Sequence, residues 1–247
     1  MNLENTIKFS VLTPTLNEEK YIGILLSSLV NQTYKNFEVI IVDSQSQDKT
    51  KEVVLKFSNK LDLKFIEAPK KGVSHQRNYA ASLAKNEHLV FFDADVAPEP
   101  TFLEKIAQYI SENHPDVLTS WNVPISDKLI DEFIYWLHNW LMLEAIKKTA
   151  PGAVGTFIYV RKKAFGSVGG FQEDLTFAED FDLVKRLHDK GFKYSLLRDP
   201  KIRVSVRRFE KEGRLNIIWK NIRAAYLYSL NGANECKDRF KHEVGKF

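Results

Sequence analysis

Asp93-Ala94-Asp95 directly follows the apolar run Leu89-Val90-Phe91-Phe92. Val and two Phe in so short a run predict a buried strand. An unpaired carboxylate is costly to bury, so both aspartates are expected where that strand leaves the core. Alternation along an extended chain would turn both carboxylates to one side. Two like charges held so close raise each other's pKa unless a cation joins them. A hard divalent ion with oxygen ligands, Mg²⁺ or Mn²⁺, suits such a pair. Asp is also common in turns, and the tripeptide alone is equally consistent with a turn or helix start. A second acidic pair, Glu179-Asp180, opens a predicted helix, where acidic residues are commonly caps and partners of the helix dipole.

The elements that must position these groups alternate. Phe9–Thr13 is strand-like and stops at Pro14. Thr15-Leu16-Asn17-Glu18 has the spacing of a capping box before a helix carrying Ile22, Leu25, Leu26 and Leu29. Phe37–Val42 is a β-branched run ending in Asp43, and Asp48 is placed to cap a helix with Val53, Val54 and Phe57. A strand at Leu63–Ile66, a helix through Arg77, Asn78 and Leu83, and the strand before Asp93 follow. Strand and helix in alternation describe βαβ units on a parallel sheet, and such sheets bind ligands beyond the carboxyl ends of their strands. That rule gathers Thr13, Pro14, Asp43, Asp93 and Asp95 on one rim.

Thr101–Glu104 is another capping box, opening a helix to about residue 112, and Val117–Trp121 reads as a strand. Residues 126–148 predict a helix rich in aromatics, with Phe133, Tyr135, Trp136 and Trp140, and apolar residues around most of its circumference. A packed core helix is the expectation; a greasy groove for a lipid-tailed acceptor, or contact with a membrane surface, is the alternative. Residues 151–156 form a loop without the phosphate-loop pattern, which excludes a P-loop nucleotidase. Phe157–Val160 predicts a strand, Gly169-Gly170 a tight turn, and Gly191 a helix C-cap. Phe192–Leu197 and Ile202–Val206 predict two further strands, and residues 210–231 an amphipathic helix carrying Leu215, Ile218, Trp219, Ile222 and Leu230.

Bulk composition narrows the classes. The chain has 247 residues, 44% of them hydrophobic, enough for one large α/β domain or two small ones and too apolar for extended disorder. The single Cys236 excludes an intramolecular disulfide and fits a reducing compartment. There is no secretory signal pattern, and no apolar run approaches the roughly 20 residues that span a bilayer. The net charge of +4 is uneven: residues 201–247 hold 12 Lys/Arg against 5 Asp/Glu, +7, leaving −3 for the rest. A basic tail on a near-neutral body suggests an anionic partner or a solvated helix face. No recognition motif supports nucleic acid as that partner.

Taken in order, these motifs resemble the family 2 glycosyltransferases, inverting enzymes of the GT-A fold that use nucleotide-sugar donors. The resemblance rests on Val11–Glu18, Val42–Thr50, Gly72–Asn78, Asp93-Ala94-Asp95, Gly169-Gly170-Phe171 and Glu179-Asp180, covering roughly residues 8–195. It implies a mostly parallel Rossmann-like sheet flanked by helices: a GT-A domain over 1–200, with a nucleotide-binding half over about 1–97 and an acceptor half over about 98–200. Residues 201–247 would be a basic helical extension packed on it. Two features depart from the family pattern. Ser44 stands where a second acidic residue is frequent, and the Gln-x-x-Arg-Trp segment of the processive members is missing, with Arg207-Arg208-Phe209 in that region. The second departure favours addition of one sugar at a time.

The resemblance also implies roles. Thr13, Pro14 and Glu18 would surround base and ribose, with Asp43 accepting a hydrogen bond from the base and Arg77 near the base or diphosphate. Asp93 would face ribose and metal, Asp95 would ligate Mg²⁺ or Mn²⁺, and Asp180 would be the base, oriented by Glu179. Arg207, Arg208 and Arg214 are candidates for a phosphate clamp, since guanidinium forks match phosphate oxygens. The implied donor is a UDP-sugar, with GDP-mannose second. The implied acceptor is a glycan or lipid-linked glycan, and the location cytoplasmic, with peripheral contact at the membrane's cytoplasmic face left open. The rival classes are a nucleotidyltransferase, which would release pyrophosphate, and a non-catalytic nucleotide-sugar-binding module.

Overall fold

The computed structural model describes residues 7–147, 151–175, 178–217 and 219. The expected helix positions Ile218, Ile222 and Leu230, and Cys236, lie outside them. Among the described residues the strands are β1 (Phe9–Thr15), β2 (Phe37–Asp43), β3 (Leu63–Glu67), β4 (His88–Phe92), β5 (Val96–Pro98), β6 (Val117–Ile125), β7 (Phe157–Arg161) and β8 (Tyr194–Ser205). They form one sheet in the order β3-β2-β1-β4-β7-β6-β8-β5. The first four of that order are mutually parallel; β7 runs antiparallel to both β4 and β6, and β8 pairs parallel with β6 and antiparallel with β5.

The central strands are apolar on both faces because helices cover both. Phe9, Val11, Val39, Ile41, Val90 and Phe92 face one cluster with Leu25 and Leu26 of α1 (Ile22–Val30) and Phe102 and Ile106 of α4 (Phe102–Asn113). Their alternates Leu12, Ile40, Val42, Leu89 and Phe91 face the other, with Ala80 and Ala81 of α3 (Val73–Leu83) and Leu183, Val184 and Leu187 of α7 (Glu179–Asp189). The period of two along each strand thus assigns each helix its layer. Two short helices, α2 (Thr50–Leu55) and α6 (Lys162–Ser167), complete the flanks.

Several local expectations are corrected. Neither capping box forms: α1 begins at Ile22 without a side-chain cap, and α4 likewise lacks one at Thr101. The Thr15 hydroxyl is drawn instead to Asp43 and the Glu18 carboxylate to Arg207, tertiary partners that outbid the local motif. The two late strands are one: β8 runs from Tyr194 through Pro200 to Ser205, and a register shift opposite Ser120 and Asn122 accommodates the proline, which has no N–H to pair.

The aromatic segment departs most. It forms α5 (Leu129–His138) followed by a π-helical turn, Asn139–Glu144. It is not a packed core helix: Leu129, Ile130, Phe133, Trp136, Leu137, Trp140 and Leu141 are all exposed, Phe133 at 56% and Trp136 at 50%. Its buried residues are instead polar, Asp131, Asn139 and Glu144, with Leu143. Each polar group is satisfied: Asp131 by Arg214 and Ser126, Asn139 by the backbone of Asn122, and Glu144 by Arg198 and Lys147. Among the described residues no helix is long and apolar enough to cross a membrane.

Candidate active site

The carboxyl ends of β1, β2 and β4 lie side by side, with Thr15 level with Asp43 and Leu12 level with Phe91. Asp43 ends β2 in a tight hydrogen-bonded knot. Its Oδ2 accepts from Thr15 Oγ1 (2.8 Å) and Ser46 Oγ (2.6 Å), and its Oδ1 from the Ser46 N–H (2.7 Å). A carboxylate has about four acceptor positions, so three internal donors leave room for one more, as a ligand's N–H would require. Thr13 is buried at this rim with its hydroxyl unpartnered, as is that of Ser44. Pro14 is half-buried beside it. Gln76 ties the strand ends together, its Nε2 donating to the carbonyls of Thr15 (2.8 Å) and Val42 (2.6 Å).

Strand alternation does not extend to the Asp pair, because β4 ends at Phe92 and residues 93–95 turn before β5. The two carboxylates therefore meet different cations. Asp93 Oδ1 accepts from Arg77 Nη2 at 2.7 Å, and Asp95 Oδ2 pairs with Arg207 Nε at 2.9 Å. Arg207 also forks onto Glu18, Nη1 to Oε2 at 2.5 Å and Nη2 to Oε1 at 2.9 Å, and lies 4.5 Å from the Tyr21 ring centroid. Burial raises the pKa of both Glu18 and Asp95; Arg207 opposes that rise, while the neighbouring aspartates add to it.

Arg77 lies across the site, almost fully buried at 2% side-chain exposure. Its Nη1 reaches Glu179 Oε1 at 2.9 Å, so one guanidinium joins Asp93 to the acidic start of α7, and its face stacks over Phe171 at 5.2 Å. Next to Glu179, Asp180 Oδ2 accepts the Gly155 N–H at 2.6 Å and Oδ1 accepts the Phe181 N–H at 2.8 Å. Burial first, and then the Glu179 charge, push the Asp180 pKa up to about 7, against the opposing pull of Arg77 and these N–H groups. The loop before β7 must pass close here: a Cβ on Gly155 would lie 2.7 Å from Arg77 Nη2. On the far side of Arg77, Gly170 adopts φ +71°, and a Cβ there would meet Asn78 Oδ1 at 2.5 Å.

Thr13, Pro14, Glu18, Asp43, Arg77, Asp93, Asp95, Glu179, Asp180 and Arg207 are therefore gathered on one edge. Arg208 is exposed and close enough to favour the charged form of Asp95. Arg214 is elsewhere: its Nε and Nη2 bond Asp131 at 2.6 and 3.0 Å, fastening the C-terminal segment to α5. Sequence reasoning passed over Tyr21, Gly155 and Phe171 as site residues. Tyr21 contributes a ring face and Gly155 a close backbone approach, neither of which has a local signature; Phe171, part of the Gly169-Gly170-Phe171 motif, contributes a second ring face.

The candidate metal ligands are carboxylates of the right type. Among the described residues no three His, Cys, Asp or Glu side chains surround one point. Mg²⁺ at phosphate sites commonly needs only one or two carboxylates, the remainder being phosphate oxygens and water. Asp95 and Asp93 can supply that number. In this structure the Arg207 guanidinium is the cation paired with Asp95 and Glu18.

The helix-flanked mixed sheet, with carboxylates at the ends of its parallel strands, is of the GT-A class, as are the solved structures it resembles. The chain matches the model of "Glycosyl transferase family 2" over residues 10–170 and belongs to that family. Its structure is similar to that of residues 1–349 of Staphylococcus aureus TarS, with TM-score 0.65 and 28% identity, covering 81% of this chain and 60% of that one. In sequence it is 42% identical over 116 residues to the poly(ribitol-phosphate) beta-N-acetylglucosaminyltransferase TarS of the same organism, spanning 45% of this chain but only a fifth (20%) of that protein's length. Glycosyltransferase AglE of Haloferax volcanii is 30% identical over 208 residues, 80% of this chain and 67% of that protein. The mannosyltransferase PcManGT from Pyrobaculum calidifontis, in complex with GDP-Man and Mn²⁺, shares the fold at TM-score 0.67 and 23% identity over 80% of this chain and 56% of that one.

Proposed function

We propose that the protein transfers one sugar at a time, with inversion, from a nucleoside-diphosphate donor to an acceptor hydroxyl. The observation that carries this reading is the Arg77 bridge, which joins a donor-side carboxylate, Asp93, to the Glu179-Asp180 pair. Asp180 takes the acceptor proton as the hydroxyl oxygen attacks the anomeric carbon. The bond from that carbon to the β-phosphate oxygen breaks, and its electron pair leaves with the nucleoside diphosphate. A carboxyl group raised to about 7 is a stronger base than an ordinary carboxylate and is still substantially ionised near neutrality. Glu179, fixed by Arg77, keeps Asp180 basic and oriented.

On the donor side, Thr13, Pro14 and Asp43 hold the base and Asp93 the ribose, and Glu18 with Arg207 borders the diphosphate. When bound by Asp95, with Asp93 and phosphate oxygens, a divalent ion supplies Lewis-acid stabilisation of the leaving diphosphate. UDP-sugar is the donor we favour, since TarS, at 29% identity, has been crystallised with UDP-GlcNAc. The acceptor we favour is a phosphate-bearing or lipid-linked glycan at a membrane surface. The TarS name specifies poly(ribitol-phosphate), and the exposed aromatic face of α5 suits a lipid tail. The test is a panel of nucleotide-sugars with and without Mn²⁺, followed by product analysis. Release of UDP with an inverted glycoside is expected. Release of pyrophosphate would replace this reading with a nucleotidyltransferase, and binding without turnover of any donor, even by hydrolysis, would replace it with a binding module.

A further inference from the structure

We propose that Arg207 is an internal counter-cation of the donor site: its guanidinium holds Glu18 and Asp95 until a divalent ion arrives with the donor, and then turns to the donor's diphosphate. The inference rests on the reading of Asp95 as a metal ligand and adds what occupies that ligand beforehand.

Three observations carry it. First, the guanidinium uses both oxygens of Glu18 and reaches Oδ2 of Asp95, so it neutralises two clustered carboxylates at once. Magnesium binds carboxylate oxygens at about 2.0–2.1 Å. An ion bound to Asp95 would share that carboxylate with a guanidinium whose Nε lies 2.9 Å from Oδ2, and two cations on one carboxylate repel each other in so sheltered a site. The two occupants therefore compete.

Second, there is room for the guanidinium to move. An open hollow of about 300 Å³ adjoins it, lined by Tyr21, Arg207, Glu210 and Lys211. Lys211 and Glu210 place one charge of each sign there, and the Tyr21 ring offers a surface over which a guanidinium can slide without losing its stacking. Third, Arg207 opens a short helix, α8 (Arg207–Glu212), directly after the end of β8. The residue is fastened by Phe209, which packs against Tyr135 at 5.6 Å, so the side chain can turn while its backbone stays anchored. Arg77, by contrast, is enclosed by Phe171 and Gly155.

The exchange predicts a binding order that needs no turnover to observe. Free Mn²⁺, titrated by electron paramagnetic resonance, should bind the wild-type chain weakly when alone and much more tightly when UDP is present. Arg207→Ala should bind Mn²⁺ alone at least tenfold more tightly than wild type, and should lose affinity for UDP because the clamp is gone. Arg207→Lys, which keeps the charge but not the fork, should fall between; it also serves if the alanine variant fails to fold, as judged by circular dichroism. Asp95→Asn should abolish the Mn²⁺ signal in every background. Equal Mn²⁺ affinity in wild type, Arg207→Ala and Arg207→Lys would overturn the exchange while leaving Asp95 as a metal ligand. If neither wild type nor the variants bind Mn²⁺ even with UDP, and UDP binds unchanged in chelator, the metal reading fails and the exchange falls with it.

Discussion

Arg77 and Arg207 do similar electrostatic work on opposite sides of the Asp pair. Each bridges two carboxylates, Arg77 joining Asp93 to Glu179 and Arg207 joining Asp95 to Glu18. Their surroundings differ. Arg77 is at 2% exposure under Phe171 and against Gly155, whereas Arg207 is at 9% and borders an open hollow. A sealed cation fixes geometry, because removing it strands buried charge; a cation at the edge can be exchanged for another. On the reading proposed above, Arg77 would hold the base against the donor and Arg207 would serve the changing electrostatics of donor entry.

The largest effect should come from the sealed side. Asp180→Asn is expected to lower turnover by about 10²–10⁴-fold while leaving UDP affinity intact, measured by steady-state kinetics and calorimetry. Near-normal turnover would move the base elsewhere. The same group sets a pH dependence. Its pKa in the folded chain is raised to about 7 and its deprotonated form is the active one, so kcat/KM should rise with pH through about 7 and fall roughly tenfold per unit below it. A flat profile down to pH 5 would show that Asp180 does not act as the base.

Arg77→Met tests whether the sealed arginine is the structural one. Stranding Asp93 and Glu179 should cost about 3–5 kcal/mol of stability, seen in denaturant unfolding. A loss no greater than that of Arg207→Met would erase the distinction between the two centres. Gly155→Ala probes the same enclosure by crowding Arg77 at 2.7 Å. It should cost about 1–3 kcal/mol, the usual penalty for overpacking. A neutral outcome would mean that the loop yields and the seal is softer than the distances imply.

The smallest effect on stability is expected outside both centres. Trp136→Ser, on the exposed face of α5, should change stability by less than about 0.5 kcal/mol. It should nevertheless reduce transfer to a lipid-linked acceptor relative to a water-soluble analogue. Equal losses on both acceptors would remove α5 from acceptor binding.

Much of this was legible in the chain because parallel strands covered on both faces must be continuous apolar runs, and their ends must carry whatever polar groups the rim needs. Phe9–Thr13, Phe37–Val42 and Leu89–Phe92 announce themselves in this way, and Asp43, Asp93 and Asp95 follow from them. The capping box at Thr15–Glu18 misled because a cap contributes only about 1 kcal/mol and yields to a charged or buried tertiary partner, here Asp43 and Arg207. The aromatic segment misled for another reason. Apolar composition does not say which face is covered, and here the buried positions went to Asp131, Asn139 and Glu144, each with partners from distant elements.

The sequence by itself determined the order of the strands' polar ends and the residue types offered there, since both depend on local pattern. Which cation meets which carboxylate was decided only by the tertiary structure. Arg77 pairs with Glu179 across 102 positions and Arg207 with Glu18 across 189, distances along the chain that no periodicity encodes. Coulomb attraction acts through space, so those pairings exist only once the sheet has brought α3, α7 and the end of β8 to the same edge.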